Sequence, residues 1–392
     1  MKIRNQALGL AMFFALATGT AFASPSQRGL QVDLGSMTSE IVDDLSETWG
    51  VNLVRIQIGD NARMDGLVGD DYLDMMRERM DLLDQKLPFF AANNIKVVFA
   101  LYSPPGGFET REAPSHYLMF SQAALQTQLI AMWEEIAERY KDNANIYAFD
   151  LLNEPAMRQS MLGAGAKNWN QLLPDLIQAV RAKAPNSKII VKSLYGDPSK
   201  LSALPALNYS NLIYSYHAYP FLEYQHSGID NLAFSQTRPS ATQVEKKLLK
   251  LLGGFYAKQM ARYNAGEISQ FPPELNVGEA AISACATEGG EFLDSLLNVL
   301  EKEGDNAALL KFAAKYTAKA KKKRAKRRLP PLKKPASADF AKWITHTSYT
   351  IHAFAEADVW DPRNVCDSSG VISRSDSTTD RGEVLQSYFS RN

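Results

Sequence analysis

The chain has 392 residues, 45% of them hydrophobic and 22% charged, and its 43 basic side chains balance 43 acidic ones. That apolar content excludes a disordered chain, and zero net charge gives no whole-chain reason to bind a polyanion such as nucleic acid. Two cysteines, Cys285 and Cys366, are too few for a disulfide framework and lack the spacing of a zinc site; a pair between them and two separate thiols both remain open.

In chain order, residues 1–23 come first and read as an export signal. Lys2 and Arg4 precede the apolar run "ALGLAMFFALATGTAFA", which ends in the small-x-small pattern Ala21-Phe22-Ala23. Cleavage is expected near Ser24, leaving a secreted or periplasmic domain over residues 24–392 with no membrane span. Short apolar, β-branched segments then recur: "GLQVDL" (29–34), "VNLVRIQI" (51–58), "IKVVFAL" (95–101), "IYAFDLL" (146–152), "KIIVKSL" (188–194), "NLIYSYH" (211–217), "ELNVGEA" (274–280) and "SYTIHAF" (348–354). Amphipathic runs separate them. One aligns Leu73, Met76, Met80, Leu83 and Leu87 on a helical face; another aligns Leu125, Leu129, Met132, Ile136 and Tyr140. "WNQLLPDLIQAVRAKAP" and "EFLDSLLNVLEKEG" repeat the pattern. Strand, helix, strand eight times over predicts parallel strands with crossover helices, closed as a (β/α)8 TIM barrel. The alternative, an open doubly wound sheet, lacks a Gly-rich phosphate loop after its first strand.

Residues 305–343 break the pattern. They carry thirteen Lys or Arg against two Asp, a local charge of +11 that leaves −11 on the rest of the chain. Leu309, Phe312 and Tyr316 share a helical face before Pro330 and Pro331 interrupt the basic run. The segment reads as a basic helical insertion before the eighth strand. It is either a solvated lobe or a contact to an anionic surface.

In a barrel the reactive groups sit at the C-terminal ends of the strands. Those ends supply Arg55, Tyr102, Asn153 and Glu154, His217 and Tyr219, Glu279, and Tyr349 with His352. Two carboxylates facing each other, Glu154 and Glu279, suit acid and nucleophile chemistry on an acetal. A nearby arginine, Arg55, is the type of group that keeps a nucleophilic carboxylate ionised. Plainer readings stand beside these. Asn153 caps a helix with Pro155 in its first turn and Glu154 on its dipole; His217 is a core histidine; Arg55 is a structural ion pair. The five histidines are scattered without the spacing of a helix-borne metal site, so no metal or cofactor is expected.

"IYAFDLLNEP" followed by "LNVGEAAIS" resembles glycoside hydrolase family 5, the cellulase-like retaining β-glycosidases. "GVNLVRIQI" is similar to that family's second strand, "KVVFALYSPPGG" to its third, "LIYSYHAYPFLEYQHSG" to its sixth and "TSYTIHAFAEADVWD" to its eighth. The likeness covers nearly all of residues 28–370 outside the basic insertion. It implies Glu154 as acid/base and Glu279 as nucleophile. It also implies Asn153, His217 and Tyr219 as groups that hold the sugar and orient the carboxylates. Two positions depart from the family pattern. Tyr102 stands where the family has a histidine. Tyr349 aligns with its sugar-stacking tryptophan at the end of the eighth strand, with Trp360 as a substitute platform in the next loop. Trp169 and Tyr224 are further candidate platforms. The implied partner is a β-linked polysaccharide or oligosaccharide, bound by a monomer. The alternative is a non-hydrolytic glycan-binding protein on the same scaffold.

Overall fold

The computed structural model describes residues 28–59, 66–109, 116–217, 241–270, 274–279 and 349–352. Each of the eight segments read as strands overlaps one: β1 Arg28–Val32, β2 Leu53–Ile58, β3 Lys96–Leu101, β4 Ile146–Asp150, β5 Lys188–Lys192, β6 Leu212–His217, β7 Glu274–Glu279 and β8 Tyr349–His352. Neighbours pair in parallel in sequence order, and β8 returns to β1, so the barrel closes.

Alternation along each strand sends residues inward and outward by turns. The outward set, including Ile56, Phe99, Phe149, Val191 and Tyr216, joins the apolar layer under the helices. The inward set begins with Leu53, Val98, Ala148, Ile190 and Ile213, one from each of β2 to β6. Two residues further along the same strands, the inward positions become Arg55, Ala100, Asp150, Lys192 and Ser215, all buried. The barrel interior thus changes from aliphatic to ionic as it approaches the strands' C-terminal ends.

The described α-helices are α1 Ser39–Glu47, α2 Gly69–Ala92, α3 Ala123–Tyr140, α4 Trp169–Lys183 and α5 Ala241–Ala265. On α2, Met76, Met80, Leu83 and Leu87 face the barrel, as their spacing predicts. On α3, Leu125, Leu129, Met132, Ile136 and Tyr140 do the same. Trp133 adds edge contacts to Phe99 and Phe149 with centroids 6.0 Å away in each case, and its indole N–H donates to the Leu151 carbonyl at 3.1 Å. Side chains of this size each contribute about 2–3 kcal/mol on burial. Asn168 and Gln171 form a reciprocal capping box that starts α4. Among the described residues no helix is long and apolar enough to cross a membrane.

Two expectations change. The β5–β6 connection contains no α-helix, only 3₁₀ turns at Leu194–Gly196 and Pro198–Ala203. Pro198 starts the second turn, and Asp197 caps it by accepting from the Ser199 N–H. Residues 193–211 are therefore a long connection built from turns and loop rather than a crossover helix. Conversely, α5 was not read from the sequence; the Gly253-Gly254 pair and the lysine-rich start obscure its period. The basic segment 305–343 and both cysteines lie outside the described residues.

Candidate active site

The site grows from the end of β4. Asp150 closes that strand, buried, and Leu151 and Leu152 continue the chain into the core. The Asn153 N–H donates to the carbonyl of Leu101 at 2.7 Å, which pins the following turn to the end of β3. No α-helix begins there; the next one, α4, starts at Trp169 with its own cap at Asn168. The helix-cap reading of Asn153 therefore fails. Its side-chain oxygen instead accepts from the Arg55 guanidinium at 3.0 Å.

Arg55 occupies the centre of an ionic layer. Its Nε donates to Asp150 Oδ2 at 2.9 Å, and Nη1 donates to Gln31 Oε1. Lys192 at the end of β5 reaches the same Asp150 oxygen. Arg55, Asp150 and Lys192 are each 1% exposed. Burial alone pushes the Asp150 carboxyl up, but Lys192 and Arg55 outweigh it and hold the group below the usual carboxylate range. Lys192 and Asp150 build the site, and neither is among the strand-end candidates that the sequence offers. Their signals were present: a charge inside "IYAFDLL" and a lysine closing "KIIVK".

Glu154 leaves this layer for the mouth. Its φ is +37°, rare for a side chain other than glycine and more so before a proline. The side chain is 40% exposed, and Oε1 stands 2.5 Å from Nδ1 of His217. His217 ends β6 and is 1% exposed, so the core fixes the ring while the carboxylate meets solvent. Glu279 ends β7 and is the register partner of His217. The backbone thus sets the two glutamate positions on either side of one histidine. Tyr102 follows β3, half-buried, with its N–H on the Ile58 carbonyl at 2.9 Å.

Two platform assignments are corrected. Tyr349 opens β8 and pairs with Arg28, the first residue of β1. It lies at the N-terminal end of the barrel, three residues before His352, whereas the mouth is at the C-terminal end. Trp169 is 1% exposed, with its indole N–H on the Lys192 carbonyl at 2.8 Å; it is a core residue that anchors β5. Tyr219, Tyr224 and Trp360 lie outside the described residues.

The cellulase family, glycosyl hydrolase family 5, matches residues 16–262, which include Arg55, Asn153, Glu154 and His217. The chain belongs to glycosyl hydrolase family 5. Among relatives, cellodextrinase A of Ruminococcus flavefaciens is 25% identical over 182 residues, covering 46% of this chain and 51% of that one. Endoglucanase C of Acetivibrio thermocellus is 23% identical over 154 residues, 39% and 43% of the two chains. The chain therefore spans about half the length of the curated relatives it matches. A β-glucanase of Saccharophagus degradans, solved in complex with cellotetraose, superposes with a TM-score of 0.56 at 14% identity over 93% of this chain and 88% of its own. A solved endoglucanase gives 0.59 at 16% identity over 93% and 96%. These two likenesses establish a shared barrel fold. The family 5 match ends before β7, so it does not reach Glu279.

Proposed function

We propose that this family 5 chain is a retaining β-glycosidase acting on a β-linked glucan or a related polysaccharide. The observation that carries the reading is the Glu154–His217 contact at the strand ends, with Glu279 in register with the same histidine. In this reading Glu154 donates a proton to the glycosidic oxygen as Glu279 attacks the anomeric carbon. The aglycone leaves, and a covalent glycosyl-enzyme remains. Water then attacks that carbon as Glu154 takes its proton, and Glu279 is released. Asn153 is oriented by Arg55 to face the sugar 2-hydroxyl, and Tyr102 lines the subsite. The names of the relatives, a cellodextrinase and an endoglucanase, support a β-glucan as substrate. Export through residues 1–23 belongs to the same proposal, and the N-terminal sequence of the secreted protein tests it.

The deciding experiment is turnover by Glu154→Gln and Glu279→Gln on soluble β-glucans. Each is expected to lose about three orders of magnitude or more with its fold intact. A fluorinated glycoside should label Glu279 in the parent protein. Near-normal turnover in either variant rejects the assignment. Intact glycan binding with no label and no turnover in the parent favours a binding module instead.

A further inference from the structure

We infer that Tyr195 and Gly196, on the loop after β5, are positioning residues for the general acid, acting through His217. The inference rests on the reading of Glu154 as that acid.

The two residues are consecutive and both left-handed, with φ of +59° and +63°. Glycine tolerates that conformation; tyrosine does so at a cost, which persists only where surrounding contacts over-determine it. Those contacts lead to Glu154. The Tyr195 N–H donates to the carbonyl of Pro155 at 3.1 Å, and the Tyr195 hydroxyl donates to the carbonyl of Met157 at 2.7 Å. One residue thus grips the chain at two points immediately after the acid. The loop itself is closed by the Gly196 N–H on Ser193 O at 3.0 Å and by the Ser193 hydroxyl on Asp197 O at 2.7 Å.

Gly196 supplies the other half of the brace. A Cβ built there would lie 2.7 Å from Cγ of His217, 2.9 Å from Nδ1 and 3.2 Å from Cβ. Nδ1 is the atom that meets Glu154 at 2.5 Å. The imidazole therefore packs directly on the bare Cα of Gly196 while its Nδ1 meets the Glu154 carboxylate. Any side chain at 196 must shift the ring, and with it the atom that holds Glu154. A general acid works only within hydrogen-bond reach of the departing oxygen, so displacement of its partner degrades proton delivery before it degrades binding.

The test uses the purified full chain and two substrates: cellotetraose, whose leaving alcohol needs a proton, and 2,4-dinitrophenyl β-cellobioside, whose phenolate does not. For Gly196→Ala, kcat/KM is expected to fall about 30-fold on the first and less than about 3-fold on the second. Tyr195→Phe keeps the ring and loses the Met157 bond; it should show the same split at about 3- to 10-fold. In a His217→Ala background, Gly196→Ala should add less than about 2-fold. Equal losses on both substrates, or a full Gly196→Ala effect without the histidine, overturn the inference. If Gly196→Ala does not fold, the Tyr195→Phe split decides, and its absence overturns the inference. Glu154→Gln separates the two levels. If it shows no split, the acid assignment falls and this inference falls with it. If it shows the split and the loop variants do not, the inference alone is wrong.

Discussion

Nδ1 of His217 and Oε1 of Glu154 meet at 2.5 Å across 63 residues of sequence. The histidine is 1% exposed and the glutamate side chain 40% exposed. A group fixed by the core thus holds one that faces solvent, which is how a rigid scaffold aims a reactive side chain.

His217→Asn should retain part of that hold, because an amide N–H reaches toward the same carboxylate oxygen. Activity is expected to fall about 10-fold in His217→Asn and about 100-fold in His217→Ala, with KM changed less than about 3-fold. Steady-state kinetics on a soluble β-glucan reads this. Equal losses in the two variants would contradict a hydrogen-bonding role.

Arg55 serves Asp150, Asn153 and Gln31 with three different nitrogens. A lysine is a point donor and does not span that fork. Arg55→Lys should therefore cost about 2–4 kcal/mol of stability, because buried polar partners are left unpaired. An unchanged urea midpoint would show the guanidinium to be dispensable.

Asp150 is one anion between two buried cations, Arg55 and Lys192. Its folded pKa lies below the unfolded value, so the folded state binds fewer protons in the interval between them. Its contribution is fully present above about pH 4 and is lost progressively as the pH falls from there through the folded value. Asp150→Asn should remove that acid dependence and destabilise strongly at neutral pH. Adding Lys192→Met should recover at least about 1 kcal/mol. Additive losses in the double variant would show that the pair is uncoupled.

His116 joins the two loops beside Glu154. Its Nδ1 accepts from the Arg158 N–H at 2.9 Å, and Nε2 lies 3.2 Å from the Ser121 hydroxyl. Burial pushes its pKa down, Arg158 adds to that, and Glu109 opposes both. Protonation would place a second N–H against that of Arg158. Stability from this contact is full above about pH 6.5 and declines as the pH falls through the lower folded value. His116→Gln should flatten the dependence of Tm on pH in that window. An unchanged slope would remove His116 from the account.

Gly163 approaches backbone rather than side chain. A Cβ there would lie 1.9 Å from the Ser121 carbonyl oxygen, and the Gly163 N–H donates to Phe120 O at 2.9 Å. Gly163→Ala must part the two loops, at about 3 kcal/mol. Thermal unfolding reads it; a Tm within a degree of the parent would show that the loops yield freely.

Much of the barrel was legible because strand and helix periods are local. "IKVVFAL" and "IYAFDLL" are apolar on both faces, as strands covered outside and packed inside must be. Legibility failed where a local signal had two tertiary outcomes. The Asn153-Glu154-Pro155 sequence fits a helix start, and its fate turned on an arginine nearly a hundred residues away. Tyr349 shows the same limit. Its residue type suited a sugar platform, but register with Arg28 puts it at the opposite end of the barrel. Nothing local to "KIIVK" distinguishes Lys192 from any other strand-end lysine; it acquires its role only because β5 lies beside β4 and meets Asp150.

By itself, then, the sequence determined the eight parallel strands, the burial faces of the helices α2 and α3, and the emergence of Glu154 at a strand end. Each depends on patterns within a few residues. The tertiary structure alone decided that Asn153 serves Arg55, that Asp150 is shared by two cations, and that the His217 ring packs on Gly196 while meeting Glu154. Those outcomes depend on the register between distant strands, which places single atoms within hydrogen-bond reach; hydrophobic periodicity carries no information at that distance.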